Sequence, residues 1–290
     1  MAIPLAGMAI FFLWQWWNGG ITPEQAAVQT KAAVLAPRPA SVAEKTNPSM
    51  PAAPPPSPHA AARHRSVEEP SGHDGAIVLI IDDLGFDGQP LERIMALDPN
   101  VNLAILPNGT RATDFAERLH ARGFEVLCHL PMQPRGRERP GRNAILTSMS
   151  DDEIARATRE NVGAIPYAIG VNNHMGSLAT ADRRVMTSVL GALPSGMYFV
   201  DSRTGSRSVA ATVAREMNVR TATRNVFLDD VVTERAVRQQ VAALADAARR
   251  RGMAVGIGHP HAVTLRVLAE EVPRLRKLGF RFVRASEVVR

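Results

Sequence analysis

Two adjacent carboxylates, Asp82-Asp83, directly follow the apolar run Ala76–Ile81. Carboxylates side by side at the end of a buried strand repel each other and lose hydration unless a cation or base stands beside them. The pair suits one metal ligand next to one general base; the alternative is a cap for the segment near Asp87. Other ionisable and amide residues follow later apolar runs in the same way. They are His129 in Cys128-His-Leu-Pro-Met-Gln-Pro134, then Asn172-Asn173-His174, Asp201-Ser202-Arg203, Asp229-Asp230, and His259-Pro260-His261. His129, His174 and Asp83 form a two-imidazole, one-carboxylate set. Such a set leaves room for water, as catalytic zinc or another divalent ion requires. Of His259 and His261, one is expected to be a general acid and the other its support. Asp201 is expected to orient one of them by a hydrogen bond. Arg203 either holds an anionic or polar substrate group or pairs with an acid. Asn172, Asn173 and His261 are expected on the substrate side. Asp229-Asp230 is as suited to capping a helix as to acting.

These residues need a frame that brings distant segments together. From Ala76 onward, short apolar runs alternate with helical periodicity. The runs at 76–81, 101–106, 124–127, 168–171, 197–200, 253–257 and 280–283 predict strands, and 219–221 could be a further short one. Between them the pattern predicts helices, one opened by the capping box Ser150-x-x-Glu153. About seven to eight strands alternating with helices imply parallel pairing, as a barrel or a doubly wound sheet. No glycine-rich phosphate loop follows the first strand, which argues against a dinucleotide-binding sheet. Polar residues at five or six strand ends match the carboxyl-terminal rim where barrel enzymes build their sites. The expected fold is a distorted (β/α) TIM-like barrel over residues 76–290.

Ahead of it, residues 1–18 hold an apolar stretch of about 14 residues, short for a membrane span of about 20. No Lys or Arg precedes the stretch and no Ala-x-Ala site directly follows Trp17. An export signal or uncleaved anchor is nevertheless expected over a buried helix. Residues 19–75 are rich in Ala, Pro and Ser and read as a disordered tether. This arrangement implies a periplasmic domain, exported or held at the inner membrane by its amino-terminal segment. The net charge is +6; residues 1–75 carry five Lys/Arg and five Asp/Glu, so the excess lies wholly in the domain. Aromatics are only 5%, thin for stacking bases, and no nucleic-acid partner is expected. The single cysteine, Cys128, excludes a cysteine-based zinc cluster. Strand alternation turns it away from His129 and into the core.

The chain resembles the divergent polysaccharide deacetylase family, a branch of the carbohydrate esterase deacetylases. The resemblance rests on Ile80-Ile-Asp-Asp-Leu-Gly85, His129-Leu-Pro-Met-Gln-Pro134, Gly170-Val-Asn-Asn-His-Met-Gly-Ser177, Phe199-Val-Asp-Ser-Arg-Thr204 and Gly258-His-Pro-His261. It implies Asp82 as base, Asp83 and His129 as ligands of a divalent metal (zinc foremost), and His259 as general acid. Gln133 stands where the parent family has a second metal-binding histidine, and His174 is inferred to supply the missing ligand. The implied activity is metal-dependent hydrolysis of N-acetyl or other amide or ester groups on an envelope polysaccharide. The alternative is a non-catalytic envelope protein that keeps the barrel to bind a glycan or a protein.

Overall fold

A computed structural model describes residues 75–290. The apolar segment 1–18 and the linker 19–75, save Gly75, lie outside the described residues. Among the described residues, no helix is long and apolar enough to cross a membrane. The strands are β1 (Ala76–Leu84), β2 (Asn102–Ile105), β3 (Glu125–Met132), β4 (Ala168–Met175), β5 (Tyr198–Asp201), β6 (Thr221–Thr223), β7 (Val226–Phe227), β8 (Met253–Gly258) and β9 (Arg281–Phe282). The helices are α1 (Leu91–Met95), α2 (Ala112–Ala121), α3 (Asp151–Gly163), α4 (Arg183–Gly191), α5 (Ala210–Glu216), α6 (Glu234–Arg251), α7 (Ala262–Lys277) and α8 (Ala285–Val288).

All pairings are parallel, and the strands run in the order β6-β5-β4-β3-β2-β1-β8-β7, with β9 beside the start of β1. The ends of this curled sheet, β6 and β7, are joined by only Arg224 and Asn225. Arg224 N–H donates to Asp201 O on one side, and Asn225 N–H to Val255 O on the other. The sheet therefore closes into a distorted barrel through two residues of chain and not through a ladder.

Alternation along the strands separates two apolar layers. Ile77, Leu79 and Ile81 pack outward with helix residues such as Phe115 and Val241. Ala76, Val78 and Ile80 point into the barrel with Ala104, Leu127, Tyr198, Val200, Val255 and Ile257. The carboxyl-terminal segment fills the amino-terminal end of the barrel through Val283, Ala285 and Val289. Asn102 and Glu125, first in β2 and β3, anchor it by accepting from Ala285 N–H (2.9 Å) and Ser286 N–H (3.0 Å).

One packing detail carries a stability prediction. A Cβ on Gly170 would lie 2.4 Å from the ring of Tyr198, which is wholly buried. That ring cannot swing away, because its hydroxyl donates to the buried Glu125. Gly170→Ala should destabilise the domain by about 1–3 kcal/mol or more through overpacking. A denaturant midpoint equal to wild type would show that the interior has slack there.

β3 and β4 run about four residues further than the apolar pattern predicts. Their ladder continues through His129↔Asn172, Leu130↔Asn173, Pro131↔His174 and Met132↔Met175. The two histidines thus lie within strands, where neighbouring backbone holds them, and not in loops.

Candidate active site

Asp82 keeps the inward parity of Ala76, Val78 and Ile80. Simple alternation would then turn Asp83 outward and Leu84 inward. Instead the β1–β2 register shifts between Ile81 and Leu84, and Asp83 adopts a left-handed backbone (φ 59°). Asp is among the few non-glycine residues that tolerate this region. The bulge returns Leu84 to the outer core and lets both carboxylates face the mouth of the barrel.

His129 points inward two residues after Leu127, and His174 two residues after Asn172. Their rings meet Asp83. Its Oδ1 lies 2.9 Å from His174 Nδ1 and 3.2 Å from His129 Nε2, and the two ring nitrogens are 3.3 Å apart. Donors bound at about 2.0–2.2 Å to one divalent ion stand about 3.0–3.5 Å from each other, so this triangle has the right size. The donor chemistry agrees. Asn172 Nδ2 donates to Asp82 Oδ1 (2.7 Å), so the Asn172 oxygen, 2.8 Å from His129 Nδ1, accepts that nitrogen's hydrogen. In neutral His129 the Nε2 lone pair then faces Asp83. Asp83 Oδ1 is buried without a hydrogen-bond partner. Lone pairs converging on an unsatisfied carboxylate oxygen call for a cation, and these three residues fit a metal ion.

Without an ion the same demand appears as shifted proton affinities. For Asp83, burial is outweighed by the two imidazoles, which hold its carboxyl far below the usual carboxylate range. For His129, burial is outweighed by Asp82 and Asp83, which raise it. Asp82, 2% exposed, goes the other way: burial raises its pKa against the pull of His129 and His259. A raised carboxylate is the better proton acceptor near neutral pH.

His259 closes the opposite side, its Nε2 3.9 Å from Asp83 Oδ2. Its partner is Asp229 and not Asp201. Asp229 Oδ1 lies 2.9 Å from His259 Nδ1, while Oδ2 accepts from His259 N–H (2.7 Å) and Thr264 Oγ1 (2.8 Å). Burial lowers the pKa of His259, but the Asp229 hydrogen bond and the charges of Asp83, Asp229 and Asp82 raise it to about 9. Phe227 stacks on the ring at 5.4 Å. Beside this constellation opens a cleft of about 400 Å³, also lined by Pro134, Glu138, Asn173, Ser177, Ser202 and Thr204.

Three expectations need correcting. Asp201 follows Phe199 to the outer face of β5, since Val200 points inward; it accepts from Arg203 N–H (2.8 Å) and Ser208 Oγ (2.8 Å). It shapes the rim loop and orients no histidine. Asn172 is wholly buried and bridges Asp82 to His129, so it lies beneath the site and not against substrate. Asn173, by contrast, lines the cleft, its oxygen accepting from Ser202 N–H and its nitrogen donating to Met175 O. Its amide ties β4 to β5. His261, exposed at the start of α7, has its ring 5.9 Å from His259 and stays outside the cleft lining. Arg203 is exposed on the rim with no acidic partner among the described residues. Cys128 is buried in the outer core, where burial pushes its thiol pKa up. Gln133 turns away from the triangle, its Oε1 accepting from Thr147 N–H (2.8 Å) and Oγ1 (2.9 Å).

Asn172 gives a second prediction. Asn172→Ala strands the buried Asp82 Oδ1 and His129 Nδ1, each costing about 1–3 kcal/mol. It also frees the ring that the amide holds, so metal affinity should fall about 10- to 100-fold. Metal titration of the variant measures this; unchanged affinity would reduce Asn172 to a packing residue.

Comparison with known proteins gives concordant matches. The sequence profile of the divergent polysaccharide deacetylase family matches residues 79–289. Uncharacterized protein YibQ of Escherichia coli (strain K12) is 39% identical over 202 residues, 69% of this chain and 63% of that protein. This chain thus spans less than two thirds of that relative. An uncharacterized protein of Haemophilus influenzae is 35% identical over 66% of this chain and 69% of its own length. The crystal structure of the uncharacterized protein ATU2773 from Agrobacterium tumefaciens C58 superposes with a TM-score of 0.72 at 20% identity, covering 76% of this chain and 91% of that one. The last match speaks for the fold.

Proposed function

Because the chain belongs to the divergent polysaccharide deacetylase family, we propose that it is a metal-dependent hydrolase removing N-acetyl or related acyl groups from a cell-envelope glycan. The observation that carries this reading is the meeting, in one cleft, of the buried Asp82 carboxylate, the Asp83–His129–His174 triangle able to hold a metal, and a His259 ring oriented by Asp229. Asp83, His129 and His174 would hold the ion, zinc in our reading. When bound, the ion supplies Lewis acidity toward the acyl oxygen and makes a water easier to deprotonate.

The chain's own groups do the rest. Asp82, raised by burial and held by Asn172, takes one proton from the water that attacks the acyl carbon. His259 enters protonated and gives its Nε2 proton to the leaving nitrogen as the C–N bond breaks. Asp229 keeps that proton on Nε2 by binding Nδ1–H. The products are a carboxylate and a free amine. Acetate release from N-acetylglucosamine oligomers, with and without zinc, tests the reading; a pure, zinc-loaded protein that releases none would sink it.

The second reading, a barrel that binds without cleaving, is favoured by Gln133, which stands in the family's histidine position and faces Thr147. We also place the protein on the periplasmic side of the inner membrane, tethered by residues 1–18. Fractionation of cells carrying a tagged chain tests that placement, and recovery of the chain in the cytoplasmic fraction would refute it.

A further inference from the structure

The arginines of the domain are not all used alike. On the helical surface many are paired with acids: Arg118 with Glu92, Arg183 with Glu216, Arg184 with Asp151, Arg276 with Asp98. Along one wall of the cleft they are not. The β3–α3 loop carries Arg135, Arg137, Arg139 and Arg142 against one acid, Glu138, and the β5–α5 loop carries Arg203 and Arg207. All six are exposed, and none has an acidic partner among the described residues. Both loops border the cleft, through Gly136 and Glu138 in one and Thr204 in the other, and the arginines stand on the rim just outside that lining.

The two loops are held together as one wall. Arg135 N–H donates to Ser177 Oγ (2.9 Å), and Gly205 packs so closely on Ser177 that a Cβ there would lie 3.2 Å from it. At the far end of the first loop, Gly141 rests on the Asn108 side chain, and Asn143 O accepts from Asn161 Nδ2 (2.9 Å). The backbone is pinned while the guanidinium groups stay free. The opposite side is formed by His259 and Phe227, whose ring lies under the Arg224 guanidinium at 4.4 Å; Arg224 is itself tied down, donating to Ser202 O (2.6 Å) and Arg203 O (2.7 Å). The exposed arginines without an acidic partner are thus gathered in the two loops on one side of the cleft.

We propose that the cleft takes an anionic glycan, whose carboxylate or phosphate groups lie along the wall formed by residues 135–142 and 203–207. This rests on the deacetylase reading for the identity of the polymer. A nucleic acid is disfavoured because the arginine wall carries no aromatic side chain on which bases would stack. A lipid surface is disfavoured because none of the exposed large hydrophobic residues belongs to these loops.

The test is binding of the full chain to three probes of similar length: an N-acetylglucosamine–glucuronate oligomer, a neutral N-acetylglucosamine oligomer and single-stranded DNA. Wild type should bind the acidic glycan roughly tenfold or more tighter than the neutral one. That preference should collapse between about 0.05 M and about 0.5 M salt. The variant R135S/R137S/R139S/R142S should lose the preference, keep neutral-glycan affinity and melt like wild type. A second variant, R203S/R207S, should lose part of it. Equal affinity for both glycans, or DNA bound as tightly as the acidic glycan, overturns the proposal. Acetate release is scored separately. Deacetylation of the neutral oligomer without acidic preference rejects this inference alone, whereas acidic preference without acetate release from either glycan rejects the deacetylase reading alone.

Discussion

Asp83→Asn should purify without stoichiometric zinc and release no acetate above background. The substitution keeps the shape of the side chain, and asparagine tolerates the left-handed backbone of position 83. It therefore removes a charge without breaking the bulge, which Asp83→Ala would strain. The lost carboxylate oxygen is the one on which both histidines converge. Losing the ion removes the Lewis acid, worth several kcal/mol of barrier, so the rate should fall roughly thousandfold or more. Elemental analysis of the purified variant reads the first half of this. Wild-type zinc content would show that Asp83 is no ligand.

His259→Gln should lower the acetate-release rate by about 10²- to 10⁴-fold, the usual contribution of a positioned acid. Asp229→Asn separates this chemistry from mere presence of the ring. Wild-type His259, with its pKa raised to about 9, stays protonated through neutral pH, and activity should fall as pH rises through that value. Without the Asp229 charge, burial pulls the pKa down, so the alkaline limb should move toward acid by about one unit or more. The pair also couples to stability. A folded-state pKa raised from 6.5 adds stability that is complete below 6.5 and is lost as pH climbs through about 9. An alkaline limb that stays in place in Asp229→Asn would remove Asp229 from its orienting role.

The barrel was readable because each buried strand announces itself as an unbroken apolar run and each long helix as a periodic one. The site was readable wherever a polar residue ends such a run: Asp82, His129 and His259 all point where period-two counting from the preceding valine, isoleucine or leucine sends them. The same count, carried through β5, places Ser202 inward and Asp201 outward, because a strand end has a direction as well as a position. Asp229 was harder. Its strand, β7, has only two residues, too few to show a period, although Val226-Phe-Leu228 followed by an acid repeats the pattern of β1. The bulge at Asp83 leaves no mark in the sequence beyond an acid able to adopt positive φ. Which amides lie under the metal set, as Asn172 does, depends on the β3–β4 ladder continuing past its apolar residues, and only the pairing shows that.

The central strand has a consequence for how the domain comes into being. β1 pairs with β2 nearby, but its other partners, Met253–Gly258 and Arg281–Phe282, are encoded some 177 to 205 residues later. A chain emerging from the ribosome therefore cannot complete the middle of its sheet until residues 281–282 have been made. Closing so long a loop is slow, and the half-made chain exposes strand edges meanwhile. The nascent domain thus lacks its central pairing until residues 281–282 have been made, an interval in which a chaperone can engage its unpaired edges.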